Sequence, residues 1–184
     1  PETFLREMVD SVLNQTYGNV ELCLADGSEE DHGPQKILEA YAAQDPRIRY
    51  EKLPKNLGIA GNTNAALDLA TGEYVALLDH DDFLEEHALF ELVKWLQTHP
   101  EADMIYTDED KVSFDSAIFF QPHFKPDFNP DLLRTNNYIC HFLMVKRTLM
   151  EQAGKYRESF DGAQDYDFIL RCSELAQEID HIPR

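Results

Sequence analysis

The 184-residue chain carries 35 acidic against 16 basic side chains, a formal net charge of −19. That balance excludes sequence-independent binding to nucleic acid or anionic lipid, because both rest on Lys and Arg neutralising phosphate. A hydrophobic content of 43% with 11% aromatics excludes a disordered acidic tail and is enough to bury the core of one compact domain.

Residues 2–15 place Phe4, Leu5, Met8, Val9, Val12 and Leu13 on a helical stripe. An apolar run at 20–25 reads as a strand stopped by the turn Asp26-Gly27-Ser28. Pro34 opens a second helix with Ile37, Leu38 and Tyr41 inward, and 47–53 is predicted as a strand. Asn56-Leu57-Gly58 turns into a helix that ends near Gly72. Tyr74-Val75-Ala76-Leu77-Leu78 is nearly all apolar, as a central parallel strand covered on both faces would be. A helix over 86–99 and a strand over 103–107 complete an alternation that predicts an α/β layered sheet. From Lys111 a looser stretch with Pro122, Pro126 and Pro130 leads to a predicted strand over 138–146 and helices near 147–153 and 166–175. With no repeat or linker, this is one domain in two halves, about 1–110 and 111–184.

Cys23, Cys140 and Cys172 are odd in number and lack metal-site spacing, which suits reduced thiols in a cytoplasmic protein. No apolar run approaches the roughly 20 residues of a membrane span, and no leader-like segment opens the chain. The first residue is Pro1 rather than Met, as in a segment excised from a longer polypeptide.

Acids gather where the predicted strands stop: Asp26, then Asp79-His80-Asp81-Asp82, then Asp108-Glu109-Asp110. Carboxyl ends of parallel strands line the crevice of open α/β sheets, so these acids are expected to share a cleft that needs a cation. In an extended segment residues i and i+2 point one way, which assigns Asp79 and Asp81 to one ion and turns Asp82 elsewhere. Oxygen ligands favour Mg²⁺ or Mn²⁺ over Zn²⁺. The plain alternative is a solvated acidic turn. His80 is read as solvated, His123 and His141 as structural, Trp95 as core, and Lys125 and Arg171 as salt-bridge partners rather than phosphate ligands.

The succession Ser11-Val12-Leu13-Asn14-Gln15-Thr16-Tyr17, Glu21-Leu22-Cys23-Leu24-Ala25-Asp26-Gly27-Ser28, Asn56-Leu57-Gly58 with Asn64, and Gly72-Glu73-Tyr74-Val75-Ala76-Leu77-Leu78-Asp79-His80-Asp81-Asp82 resembles the family 2 glycosyltransferases of the GT-A fold. Tyr106-Thr107-Asp108-Glu109-Asp110-Lys111, Phe124-Lys125-Pro126-Asp127 and Phe160-Asp161-Gly162-Ala163-Gln164-Asp165-Tyr166-Asp167 resemble its bacterial surface-polysaccharide branch. The resemblance covers nearly the whole chain. It implies a Rossmann-like, mostly parallel central sheet with helices on both faces. It also implies a UDP-, dTDP- or GDP-sugar donor, a divalent metal, a saccharide or glycolipid acceptor hydroxyl, and inversion at the anomeric carbon, as in a hexosyltransferase of polysaccharide or glycoconjugate biosynthesis.

By the same resemblance Asp26 holds the base, Asp79 and Asp81 are the D-x-D residues at ribose and metal, and Asp165 is the catalytic base. Asn56-Leu57-Gly58, a turn before a helix, offers backbone N–H groups of Asn56 and Gly58 to the donor; its plain alternative is a turn and nothing more. Gln164 stands where the family has a glutamate. The neighbouring Asp161 and Asp167 are expected to raise the proton affinity of Asp165; its plain alternative is a helix N-terminal acid. The family's first apolar strand and its C-terminal lid are missing from this chain, which suits a dimer, or a noncatalytic transferase-like module that binds nucleotide or a protein within a larger polypeptide. The expected location is the cytoplasm, at the inner face of the membrane where the parent protein holds it there.

Overall fold

The structure, a computed structural model, describes residues 2–28, 33–114 and 117–184. The first half alternates helix and strand as its periodicity predicts. α1 (Glu2–Leu13) buries Leu5, Met8, Val9 and Val12 along one stripe. β1 (Leu22–Asp26), α2 (Gly33–Gln44) and β2 (Ile48–Lys52) follow, and β2 lies parallel to β1 with Asp26 opposite Lys52. Next come α3 (Gly58–Leu69), β3 (Tyr74–Leu77), α4 (Ala88–Leu96) and β4 (Met104–Thr107).

The second half differs from the expectation in four places, the last of them a strand at its C-terminal end. The looser stretch after Lys111 belongs to an antiparallel pair, β5 (Glu109–Val112) and β6 (Phe119–His123). A short helix α5 (Pro130–Leu133) is capped by the Asn129 side chain, which accepts from the N–H groups of Asp131 and Leu132. Of the strand predicted over 138–146, only β7 (Leu143–Lys146) is extended; Cys140, with φ +40°, breaks the run before it. α6 (Arg147–Ala153), α7 (Gln164–Leu175) and β8 (Ile179–Ile182) complete the chain.

The main sheet has the order β3-β7-β4-β8, and β7 alone is reversed, antiparallel to both β3 and β4, while β8 lies parallel to β4. The chain is therefore α/β with mostly parallel strands. Alternate residues of the central strands serve opposite faces, as a period of two requires. Met104, Tyr106, Leu143 and Val145 join Leu149 of α6 and Phe168 of α7 in one cluster, whereas Ile105 and Met144 join Leu92 of α4 in another. Residues of β4 from Met104 to Tyr106 are fully buried.

β1 and β3 are not hydrogen-bonded to each other. Between them lies a cavity of about 840 Å³ lined by Leu22 and Leu24 of β1, Val75 and Leu77 of β3, Leu5 of α1 and Leu92 of α4. β3, predicted as a central parallel strand, is instead the end strand of the main sheet, with the antiparallel β7 as its one hydrogen-bonded neighbour among the described residues.

The first turn of α7 is tied down by Asp167, whose carboxylate pairs with Arg157 and, at 3.0 Å, with Arg171. The hydrogen bonds from Arg157, ahead of the Arg171 pair, hold the Asp167 carboxyl below its ordinary value despite burial. Replacing Asp167 with Asn is expected to lower the unfolding free energy by about 2 kcal/mol, the range of hydrogen bonds to charged groups. A depressed carboxyl stabilises above its unfolded pKa and loses that contribution as pH falls through the folded one. The difference between the two proteins in urea titrations should therefore close in acid.

Candidate active site

Three ligand-bearing side chains converge at the end of β3. One ligand atom each from Asp79, Asp82 and His141 lie within 4.8 Å of one another. The sheet register explains the meeting. Leu77 of β3 is opposite Leu143 of the reversed strand β7, and carrying that register two residues onward sets Asp79 against His141. Their closest approach is 3.5 Å, from His141 Nε2 to an Asp79 carboxylate oxygen.

Asp82 comes in because residues 79–82 do not stay extended. The Asp82 N–H donates to the Asp79 carbonyl at 3.2 Å, closing a turn that brings i and i+3 together. The i, i+2 argument that paired Asp79 with Asp81 presupposes a strand continuing past Leu78. Asp81 and His80 instead form an exposed pair 3.9 Å apart, and Asp81 is not a member of the three-residue group.

The electrostatics of the group are set by its two carboxylates and one imidazole. Burial raises the Asp82 carboxyl, and Asp79, Asp81 and Glu109 push it further up while His141 opposes them. The neighbouring Cys140, with Asp79 and Asp82, lifts the His141 imidazole to about 9 against the effect of burial. No hydrogen-bond partner meets His141 Nδ1, an unsatisfied buried polar atom. Two carboxylates and an imidazole whose Nε2 faces one of them fit a divalent ion, and the nitrogen donor moves the preference from Mg²⁺ toward Mn²⁺.

Asp165 belongs to the same electrostatic group. It stands in the first turn of α7, where burial raises its carboxyl, Asp79 adds to the rise, and His141, Tyr156 and Gln164 oppose it. Gln164 Nε2 donates to an Asp165 carboxylate oxygen at 2.9 Å, while Gln164 Oε1 accepts from the Gly162 N–H at 2.7 Å. The glutamine thus orients the carboxylate without adding a charge beside it. The expected sources of the shift, Asp161 and Asp167, are engaged elsewhere: Asp161 accepts from the Ala60 N–H at 3.1 Å and Asp167 is held by two arginines. Tyr156, whose hydroxyl works to lower the Asp165 carboxyl, stacks on Phe168 at 4.7 Å. Its backbone N–H and C=O both bond the Asn64 side chain at 2.9 Å.

Of the residues assigned to the donor, Asp79 is a member of this group, and Asp26, Asn56 and Gly58 are not. Asp26 closes β1, where its carboxylate accepts from the Ser28 N–H at 2.8 Å, the Tyr50 hydroxyl at 3.1 Å and the Lys52 ammonium at 3.2 Å. Burial works to raise its carboxyl, but these donors together hold it below its ordinary value. Asn56 Oδ1 accepts from the Gly58 N–H at 2.9 Å and from Asn62 at 3.0 Å. Gly58 has φ +79° and sits where a Cβ would come within 2.9 Å of an Asp161 carboxylate oxygen. That carboxylate complements the N-terminus of α3, the place considered for an anionic donor.

Sequence reasoning missed His141, Asp82 and Tyr156. His141 was hidden by its apolar neighbours; the one available sign was the polar pair Cys140-His141 interrupting an otherwise apolar run. Trp95 donates from Nε1 to Asp180 at 2.6 Å and stacks on His99, in keeping with a structural role.

The sequence profile of glycosyl transferase family 2 matches residues 2–154. The chain belongs to glycosyl transferase family 2. Among curated relatives of this family 2 chain, protein y4gI of Sinorhizobium fredii is 46% identical over 98% of the chain and 20% of that protein. The O-antigen biosynthesis protein RfbC of Myxococcus xanthus is 39% identical over 98% of the chain and 14% of that protein. The chain thus spans a fifth or less of the length of both. Among solved structures, S. aureus TarS in complex with UDP superposes with a TM-score of 0.81 at 20% identity, over 98% of this chain and 54% of that one. The mannosyltransferase PcManGT of Pyrobaculum calidifontis with GDP-Man and Mn²⁺ gives 0.72 at 20% identity, over 100% and 52%. These likenesses establish the shared fold. No helix among the described residues is long and apolar enough to cross a membrane.

Proposed function

We propose that this chain is the catalytic region of an inverting glycosyltransferase that moves a sugar from a nucleoside-diphosphate donor to an acceptor hydroxyl in bacterial surface-polysaccharide synthesis. The observation that carries the reading is the joining of Asp165, oriented by Gln164, to the Asp79, Asp82 and His141 group. It is supported by the O-antigen biosynthesis protein among the relatives and by fold neighbours holding UDP or GDP-Man with Mn²⁺.

Asp79, Asp82 and His141 would hold the divalent ion, with Asp81 exposed beside His80; Asp26, Asn56 and Gly58 would face the donor. When bound, the ion supplies Lewis-acid neutralisation of the departing nucleoside diphosphate. Asp165 accepts the acceptor hydroxyl's proton as that oxygen bonds to the anomeric carbon and the bond to the diphosphate breaks. One displacement inverts the centre. Burial raises the proton affinity of Asp165 in the direction useful to a base working near neutral pH, and Gln164 fixes which way its oxygens point.

Thermal melts with UDP, GDP and dTDP, each with Mn²⁺ or with chelator, test the proposal. Ligand at 100 times its dissociation constant should stabilise the native state by about 2.7 kcal/mol, a rise of roughly 5–10 °C for a chain of this length. Stabilisation by at least one nucleotide, present with Mn²⁺ and lost with chelator, is the expected result. No response to any of the three under either condition would sink the reading.

A further inference from the structure

Lys125 is a cation enclosed beneath the site. Its side chain has no exposure to solvent, and its ammonium approaches a Glu109 carboxylate oxygen at 3.4 Å. The same ammonium donates to the Ile139 carbonyl at 2.7 Å and to the His141 carbonyl. Three acceptors match the three N–H donors of an ammonium, which leaves none for a phosphate.

The two carbonyls flank Cys140, a non-glycine residue held at φ +40°. Such a conformation persists only where its surroundings over-determine it. Here the constraint on either side of Cys140 is one buried ammonium, and the residue so presented is His141, with Nε2 facing Asp79 and Nδ1 unsatisfied. The clamp is itself anchored. Glu109 also meets His123 Nδ1 at 3.0 Å, and the Lys125 N–H donates to Asp108 at 2.9 Å, the same oxygen that meets His181 at 2.8 Å. The Asp108-Glu109 and Lys125-Pro126 motifs, whose acids the sequence placed in the cleft, thus act together as a mount behind it.

We propose that Lys125, backed by Glu109, is a positioning residue that fixes the loop through Cys140 so that the His141 imidazole meets the metal site of Asp79 and Asp82. This rests on the metal site proposed above. The rival explanation is a buried ion pair that only contributes to stability.

The two separate in a double-mutant cycle on the intact chain, reading free Mn²⁺ by electron paramagnetic resonance with and without saturating UDP or GDP, beside melts without metal. Lys125→Met is expected to weaken Mn²⁺ binding about 10- to 100-fold, as loss of outer-shell support does. In a His141→Ala background the same change should weaken it no more than about twofold, because the ligand it orients is already gone. Glu109→Gln, which keeps an acceptor but removes the charge, should weaken binding in the same direction and shows the same dependence on His141 if Lys125→Met does not fold.

Equal losses in both backgrounds would overturn the proposal, as would a lowered melting temperature with Mn²⁺ affinity unchanged. Saturable Mn²⁺ binding by the unaltered chain with additive mutations would overturn this inference alone. Absence of such binding in the unaltered chain would remove the metal site, and this inference with it.

Discussion

Asp165→Asn is expected to reduce the rate of sugar transfer by about 10²- to 10⁴-fold while nucleotide binding in the presence of Mn²⁺ persists, the span attributed to a positioned general base. That factor corresponds to about 3–5 kcal/mol of lost transition-state stabilisation. Asparagine keeps the shape and the hydrogen bond from Gln164 but cannot accept the proton. The pH dependence follows from the raised carboxyl. Asp165 must be ionised to work, so kcat should fall in acid along a limb lying above the ordinary aspartate value of 3.8, and that limb should be absent from the variant's residual activity.

Stability gives the opposite sign. A carboxyl raised in the folded state favours folding below its unfolded pKa, and this advantage is lost as pH rises through the folded value. At neutral pH the buried ionised form is a cost, so the metal-free variant should melt no lower than the unaltered chain. A carboxylate kept only to complement the α7 dipole would show the reverse: full activity and a lower melting temperature. Stopped donor-hydrolysis assays and melts on the same two samples decide between them.

The local part of this architecture was legible because it is periodic. The stripe of α1, the near-continuous apolar run of β3 and the turn at Asp26-Gly27-Ser28 each announce themselves within a dozen residues. What escaped was set by long-range pairing. Residues 138–142 read as strand because Tyr138, Ile139 and Phe142 are apolar; the positive φ of Cys140 and the clamp from Lys125, both set by long-range packing, make them a loop.

The β5–β6 pair is masked by the charges of Glu109, Asp110 and Lys111 and by Pro122, all poor strand signals. β8 carries Asp180 and His181, and His181 is buried against Asp108 and Tyr106. Its polarity is satisfied by groups far away in the sequence. The acids at strand ends were visible, but which of them share an ion depends on a turn after Leu78 and on the reversal of β7, and neither follows from spacing.

That dependence yields the second large effect. Asp82→Asn should abolish Mn²⁺-dependent stabilisation by nucleotide and slow transfer by roughly 10³-fold or more, since several kcal/mol of charge stabilisation on the leaving diphosphate goes with the ion. Asp81→Asn should leave Mn²⁺ binding within a fewfold of the unaltered chain, because Asp81 lies exposed beside His80 and outside the three-residue group.

Without metal the order of stabilities inverts. Partial desolvation and the charges of Asp79, Asp81 and Glu109 raise the Asp82 carboxyl, but the side chain is exposed and water screens the effect, so Asp82→Asn should melt only slightly higher than the unaltered chain in chelator. A residue that stabilises when removed from the apo protein and destroys metal binding in the same experiment is held in place by the ion it serves. If Asp81→Asn instead abolishes Mn²⁺ binding while Asp82→Asn retains it, the chain past Leu78 is extended when loaded and the i, i+2 pairing of Asp79 with Asp81 is the operative one.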